Sequence, residues 1–193
     1  MSKILIIGGA GGVGSIAIQL AKQVAGLEVI ATASRKASIA WCHKMGADHC
    51  INHYNPFKDE LEGIGISEVD YIFCCNSTEM HLHNMADVIK PQGGICTIVE
   101  TKDNQPLDMN IFQGKSVTFA WELMFTKSMY HTPDMQSQHE LLNQVAELID
   151  RGLLKTTLCD VVGSLNAVNA REAHRRIETG KTIGKLALSG IET

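Results

Sequence analysis

Three glycines carry the clearest chemistry in this chain. Gly9-x-Gly11-x-x-Gly14 follows four aliphatic residues, Ile4 to Ile7. It runs into a stretch where Val13, Ile16, Ala17, Leu20 and Val24 recur at helical steps. A strand buried on both faces, a glycine turn and an amphipathic helix form the context in which this spacing binds a dinucleotide. The glycines let the chain turn tightly and let backbone N–H groups approach a pyrophosphate. The helix N-terminus adds unpaired donors and a partial positive charge.

The nucleotide's identity is read from the end of the next strand. An NAD site usually places Asp or Glu there, about 20 residues past the last motif glycine, to bond the ribose hydroxyls. Here Ser34 stands at that point, followed by Arg35 and Lys36, while Glu28 sits at the opposite end of the strand. A carboxylate would repel a 2′-phosphate, whereas a hydroxyl and two cations attract one. The chemistry therefore favours NADP(H) over NAD.

Other chemistries are not supported. Tyr54 and Lys58 have the Tyr-x-x-x-Lys spacing of short-chain dehydrogenases, but Pro56 between them disfavours a shared helical turn. Ser34 also argues against a methyltransferase, which would want an acid for the sugar hydroxyls, and no G-x-S-x-G nucleophile elbow occurs. His81-x-His83 and the His49/His53 pair lack companion acids or thiols at ligand spacing, so no metal site is expected. The cysteines at 42, 50, 74, 75, 96 and 159 form no CxxC pair. Cys74, Cys75 and Cys96 fall in apolar runs, as expected of buried thiols in a reduced, cytoplasmic protein.

The elements that must position these residues alternate. After the first helix, strands are predicted at 28–33, 49–52, 69–75, 95–100 and 116–121. Helices are predicted from Ser34 to about Met45, with Gly46 as C-cap, and after Asn76-Ser77-Thr78 as far as Pro91-Gln92-Gly93-Gly94. This rhythm predicts an α/β fold, a doubly wound parallel six-stranded Rossmann sheet in the order 3-2-1-4-5-6. Ser137-x-x-Glu140 reads as a capping box opening a helix with Leu141, Leu142, Val145, Leu148 and Ile149 inward. From about residue 154 a strand, a polar helix capped by Asn166 and a last strand follow. Their thin apolar faces suggest packing against something this chain does not supply.

Composition excludes several classes. The chain has 193 residues, 45% hydrophobic and 20% charged, with a formal net charge of −4. That suits one sizeable core and favours neither nucleic acid nor a membrane surface. No apolar run approaches the roughly 20 residues of a membrane span.

Several motifs together resemble one family. Gly9-Ala10-Gly11-Gly12-Val13-Gly14 running into Ile18-Gln19-Leu20-Ala21-Lys22 is similar to the zinc-type alcohol dehydrogenase and quinone oxidoreductase superfamily, the medium-chain dehydrogenases. Gly46-Ala47-Asp48-His49-x-Ile51-Asn52, Pro91-x-Gly93-Gly94 and Arg171-Glu172-Ala173-His174-Arg175-Arg176-Ile177-Glu178-x-Gly180-Lys181 extend the match, which is nearest to the zinc-type alcohol dehydrogenase-like branch. The resemblance implies a nucleotide-binding Rossmann domain over 1–153. It implies further that 154–193 is a segment returning to a GroES-like catalytic domain whose N-terminal part is missing here. A fragment, inactive by itself, is the expectation.

By the same resemblance, Gly11, Gly12, Val13 and Gly14 would hold the pyrophosphate and Ser34 and Arg35 the 2′-phosphate. His53 would lie near the adenosine, Asn76 near the riboses, and Val99 and Glu100 near the nicotinamide. The implied reaction moves a hydride between NADPH and a carbonyl, quinone or alcohol. Zinc occurs in the family, but this chain offers it no expected site. The alternative is a non-catalytic NADP(H)-binding sensor or interaction module. A homodimer through the Ser116–Trp121 edge strand is also expected, since apolar edges are seldom left bare.

Overall fold

Period-two alternation on the first strand explains the whole layering. In the computed structural model, which describes residues 1–191, β1 (Lys3–Ile7) turns Leu5 and Ile7 toward one apolar cluster and Ile6 toward another. The first cluster lies under α3 (Phe57–Glu62) and α4 (Thr78–Val88), and the second under α1 (Gly12–Gln19) and α2 (Lys36–Met45). Each fully buried Leu, Ile or Phe in these layers contributes about 1.5–3 kcal/mol.

The remaining strands are β2 (Glu28–Thr32), β3 (His49–Ile51), β4 (Val69–Cys74), β5 (Ile89–Thr97) and β6 (Thr118–Trp121). They pair in the order β3-β2-β1-β4-β5-β6, every neighbour parallel, as the alternation of elements predicts. Beyond them lie a short α5 (Thr126–Met129), α6 (Ser137–Asp150), β7 (Leu158–Leu165), α7 (Ala167–Glu178) and β8 (Lys185–Ile191). β7 and β8 form a separate two-stranded parallel sheet. The last two residues of the expected 154–193 segment lie outside the described residues.

Local differences from the predicted pattern have physical reasons. The first helix ends in a π-helical turn, Leu20–Val24. α2 starts at Lys36 rather than Ser34, with Arg35 at the N-cap, and closes on Gly46 at φ 111° as its glycine predicts. α3 is unpredicted: Pro56 stands before its first turn, and only Phe57 and Leu61, both fully buried, mark its apolar side. Pro91-Gln92-Gly93-Gly94 does not end a helix. It lies inside β5, where the register with β4 shifts, and a proline is tolerated at such an irregularity.

Two expectations are corrected. Ser137 and Glu140 form no capping box: Gln136 is the N-cap, and the Ser137 hydroxyl bonds to Lys127 instead. The expected inward face of α6 is not buried either, for Leu141, Leu142 and Ile149 are exposed and no α6 residue is buried. Its periodicity is real, but nothing among the described residues covers it. By contrast, Asn166 caps α7 as predicted, its side chain accepting from the Asn169 N–H at 2.9 Å.

Candidate functional site

The carboxyl ends of β1, β2, β3 and β4 open onto a cleft of about 530 Å³. It sits where the strand order reverses between β1 and β4, the place where doubly wound sheets bind their ligands.

The glycine turn forms its floor. Gly8, at φ 82°, receives the Gly11 N–H on its carbonyl at 3.1 Å and donates its own N–H to Thr32 Oγ1 at 3.0 Å. A methyl group at Gly14 would stand 2.3 Å from Gly8 O, and one at Gly9 would stand 2.7 Å from the Ala31 methyl. These two glycines therefore allow the helix and β2 to approach the turn closely. Gly11 differs: its added carbon would meet only Gly8 O, at 3.4 Å, so the space above it is open to a ligand. Gly11 lines the cleft, while Gly12, Val13 and Gly14 form the first turn of α1 behind it.

The β2 end presents Thr32, Ala33, Ser34 and Arg35 to the cleft, with no carboxylate among them. Glu28, at the far end of β2, is occupied by His49 at 3.3 Å and Lys3 at 3.7 Å. Arg35 donates one N–H to the Lys181 carbonyl at 2.9 Å, which leaves most of its five donors unspent on that contact. Opposite stand His53, Tyr54 and Asn76. Burial and the nearby Arg35 hold the His53 imidazole below the ordinary histidine range, so it is neutral at physiological pH. Cys75 also faces the cleft, but burial beside Cys74 and Cys96 pushes its thiol up to about 12, which rules it out as a thiolate nucleophile at neutral pH.

Val99 and Glu100 follow β5 and do not line this cleft. The Val99 carbonyl accepts the Thr78 hydroxyl at 2.8 Å, and Glu100 is exposed. The structure brings in residues that sequence reasoning missed. Thr32 and Ser38 come from elements whose ends were misjudged by a residue or two. His81, weighed in the sequence only as a metal ligand with His83, lines the cleft instead. Gly180, Lys181 and Thr182 reach the cleft from the far end of the chain.

That last wall is firmly attached. The Gly184 N–H bonds Ala10 O at 2.8 Å, and Gly184 bridges Gly11 in parallel pairing. The Lys185 side chain lies over Gly12. Buried Gln19 holds the approach to β7 by both its amide groups, to Lys155 O at 3.0 Å and from Lys155 N–H at 2.7 Å. Among the described residues no group of three or more His, Cys, Asp or Glu is placed to hold a metal, and no helix is long and apolar enough to cross a membrane.

Comparison with known proteins agrees with this geometry. A family model described as zinc-binding dehydrogenase matches residues 45–188. A zinc-type alcohol dehydrogenase-like protein of Staphylococcus aureus is 43% identical over 186 residues, covering 96% of this chain and 55% of that protein. A Staphylococcus epidermidis relative of the same description is 42% identical over 96% of this chain and 54% of its own length. The chain thus spans about half the length of these curated relatives. Among solved structures, a Rhizobium etli protein assigned as a zinc-dependent alcohol dehydrogenase superposes with TM-score 0.92 at 42% identity, over 99% of this chain and 55% of that one. A mycobacterial protein complexed with NADPH shares the fold, with TM-score 0.78 at 21% identity over 97% of this chain and 56% of that one.

Proposed function

The chain belongs to the zinc-binding dehydrogenase family, and on that premise we propose that it is the NADP(H)-binding part of an oxidoreductase. Its reaction moves a hydride between NADPH and a carbonyl, quinone or alcohol substrate. The observation that carries this reading is the cleft itself, a glycine turn open above Gly11 beside a β2 end that offers Ser34 and Arg35 and no carboxylate.

In this reading the backbone around Gly11, Gly12, Val13 and Gly14 meets the pyrophosphate at the start of α1. Ser34 and Arg35 take the 2′-phosphate, His53 lies by the adenosine, Asn76 by the riboses, and Val99 with Glu100 on the nicotinamide side. NADPH supplies the hydride, and this chain's residues bind and orient it. Among the described residues no cluster of three or more His, Cys, Asp or Glu offers zinc a ligand set.

Residues 1–153 form the nucleotide domain in this proposal, and 154–193 complete a catalytic domain contributed by more of the protein than this chain. The bare face of α6 and the exposed Leu158, Val161 and Leu165 of β7 support that division. We assign the protein to the cytoplasm, whose reducing conditions suit six free cysteines. β6 ends the sheet with Trp121 exposed, which supports a homodimer through Ser116–Trp121. Sedimentation showing only monomer at high concentration would remove the dimer.

The deciding experiment is a fluorescence titration with NADPH and, separately, NADH. Trp41 is the natural reporter, since its indole N–H bonds Ser15 at 2.8 Å in the first helix of the site. Saturable NADPH binding with weaker NADH binding is expected. Preference for NADH would discard the role of Ser34 and Arg35, and no binding of either would discard the reading.

A further inference from the structure

Four rings gather at the adenosine end of the cleft. His81 stacks on Phe57 with centroids 5.3 Å apart and 25° between the planes. His53 meets His81 edge-on at 6.4 Å and stands 4.3 Å from Tyr54. His81 lines the cleft yet is only 4% exposed, and its Nδ1 is buried with no hydrogen-bond partner.

An unpartnered buried nitrogen is unusual, because buried polar atoms in native proteins nearly always have partners. Burial, reinforced by His53 and opposed by Glu79, holds this imidazole below the ordinary histidine range and hence neutral. A neutral imidazole carries one N–H and one bare nitrogen. With the proton on Nε2, Nδ1 is left as a bare lone pair, and the missing partner must be a donor. A half-turn of the ring about Cβ–Cγ exchanges Nδ1 with Cδ2, so either ring edge can be offered to the cleft without moving the backbone.

We propose that His81 reads the adenine base, its Nδ1 accepting from the exocyclic amine beside the rings of His53 and Tyr54; this rests on the NADP(H) reading above. The amine is the one N–H donor on that base. The ribose hydroxyls can donate too, but they belong at the β2 end, where Ser34 and Arg35 stand. The consequence is selectivity at the base: a hypoxanthine dinucleotide, with a carbonyl in place of the amine, presents an acceptor to a lone pair and can be bonded only if the ring proton moves from Nε2 to Nδ1.

The test is a titration of the whole chain with NADPH and with its hypoxanthine counterpart. The wild type is expected to bind NADPH about tenfold more tightly, the worth of one hydrogen bond. His81→Phe should bring the ratio close to one, chiefly by weakening NADPH, and His81→Asn, which keeps an acceptor near the Nδ1 position, should restore part of it. Equal binding of both cofactors by the wild type overturns the role of His81 while leaving the cofactor reading intact. An unchanged ratio in a folded His81→Phe protein does the same. If NADPH itself fails to bind, the cofactor reading falls and this inference with it.

Discussion

Replacing Gly14 with alanine should separate close packing from simple helix preference. The added methyl would stand 2.3 Å from Gly8 O, 2.7 Å from Gly9 Cα and 2.8 Å from Gly9 O. All three are backbone atoms, and none can rotate away. Carbon contacts relax to about 3.5–4.0 Å, so α1 must withdraw from the turn by roughly an ångström. Overpacking of this kind costs about 1–3 kcal/mol, and alanine returns up to about 1 kcal/mol of helix propensity. The net loss is about 1–2 kcal/mol, or a fall in melting temperature of about 2–8 °C at this chain length. Gly12→Ala is the control, since the atoms nearest its methyl belong to the movable end of Lys185. It should stay within about 0.5 kcal/mol of the wild type. Thermal unfolding followed by circular dichroism, with and without saturating NADPH, reads both variants. Stabilisation by the cofactor should shrink in Gly14→Ala because the donors of the first turn have moved. Melting of Gly14→Ala together with the wild type, or an equal loss in Gly12→Ala, would refute the close-approach argument.

Arg35→Ala should weaken NADPH binding by about tenfold or more while leaving NADH nearly unchanged, read by the same titration, because charge-assisted bonds to phosphate exceed about 1.4 kcal/mol. Gln19→Leu removes both bonds from the buried Gln19 amide to the Lys155 backbone; it should cost about 1–3 kcal/mol, the worth of two hydrogen bonds, and raise amide hydrogen exchange around residues 155–158. Acid should destabilise the protein in two steps. His53 and His81 have folded pKa values lowered first by burial, so the unfolded chain binds more protons and stability falls as pH drops below about 6.5, by at most about 1.4 kcal/mol per unit for each histidine. Burial disfavours the Asp48 carboxylate, but Lys22 and the Val29 N–H overcome it. Asp70 is lowered in the same way by Lys90 and the Lys3 N–H. The stability these carboxylates contribute is present above their unfolded values and is lost as pH falls through the lower folded ones. Urea titrations from pH 7.5 to 3 check both steps, and a flat profile between pH 7 and 5.5 would contradict the histidine burial.

Where a signal was local and repeated, the sequence sufficed. Ile4–Ile7, the glycine spacing and the regular return of apolar strands led to the observed sheet order. Gly46 and Asn166 marked helix ends because each acts through its own backbone or side chain. The failures have a different origin. α3 has two buried residues, too few to establish a period. Ser137 had the right neighbour for a capping box, but Lys127, ten residues upstream, took its hydroxyl. His81 gained meaning only when folding set it against Phe57 of α3 and His53 of the turn before it. The α6 stripe was legible as a face; what covers a face is not written in the helix that bears it.

The attachment of the last segment also has a consequence for the order of assembly. Gly184 to Ala10, Arg35 to Lys181 and Gln19 to Lys155 join residues far apart in the chain, two of these bonds at separations of 146 and 136. Such long-range contacts pay the largest loop-closure entropy and form late. During synthesis the glycine turn emerges well before the wall made by Gly180, Lys181 and Thr182. A nascent chain released before residue 180 would carry the glycine turn in full and yet lack one side of its cleft, so the cleft is completed by residues made about 170 positions after the turn that floors it.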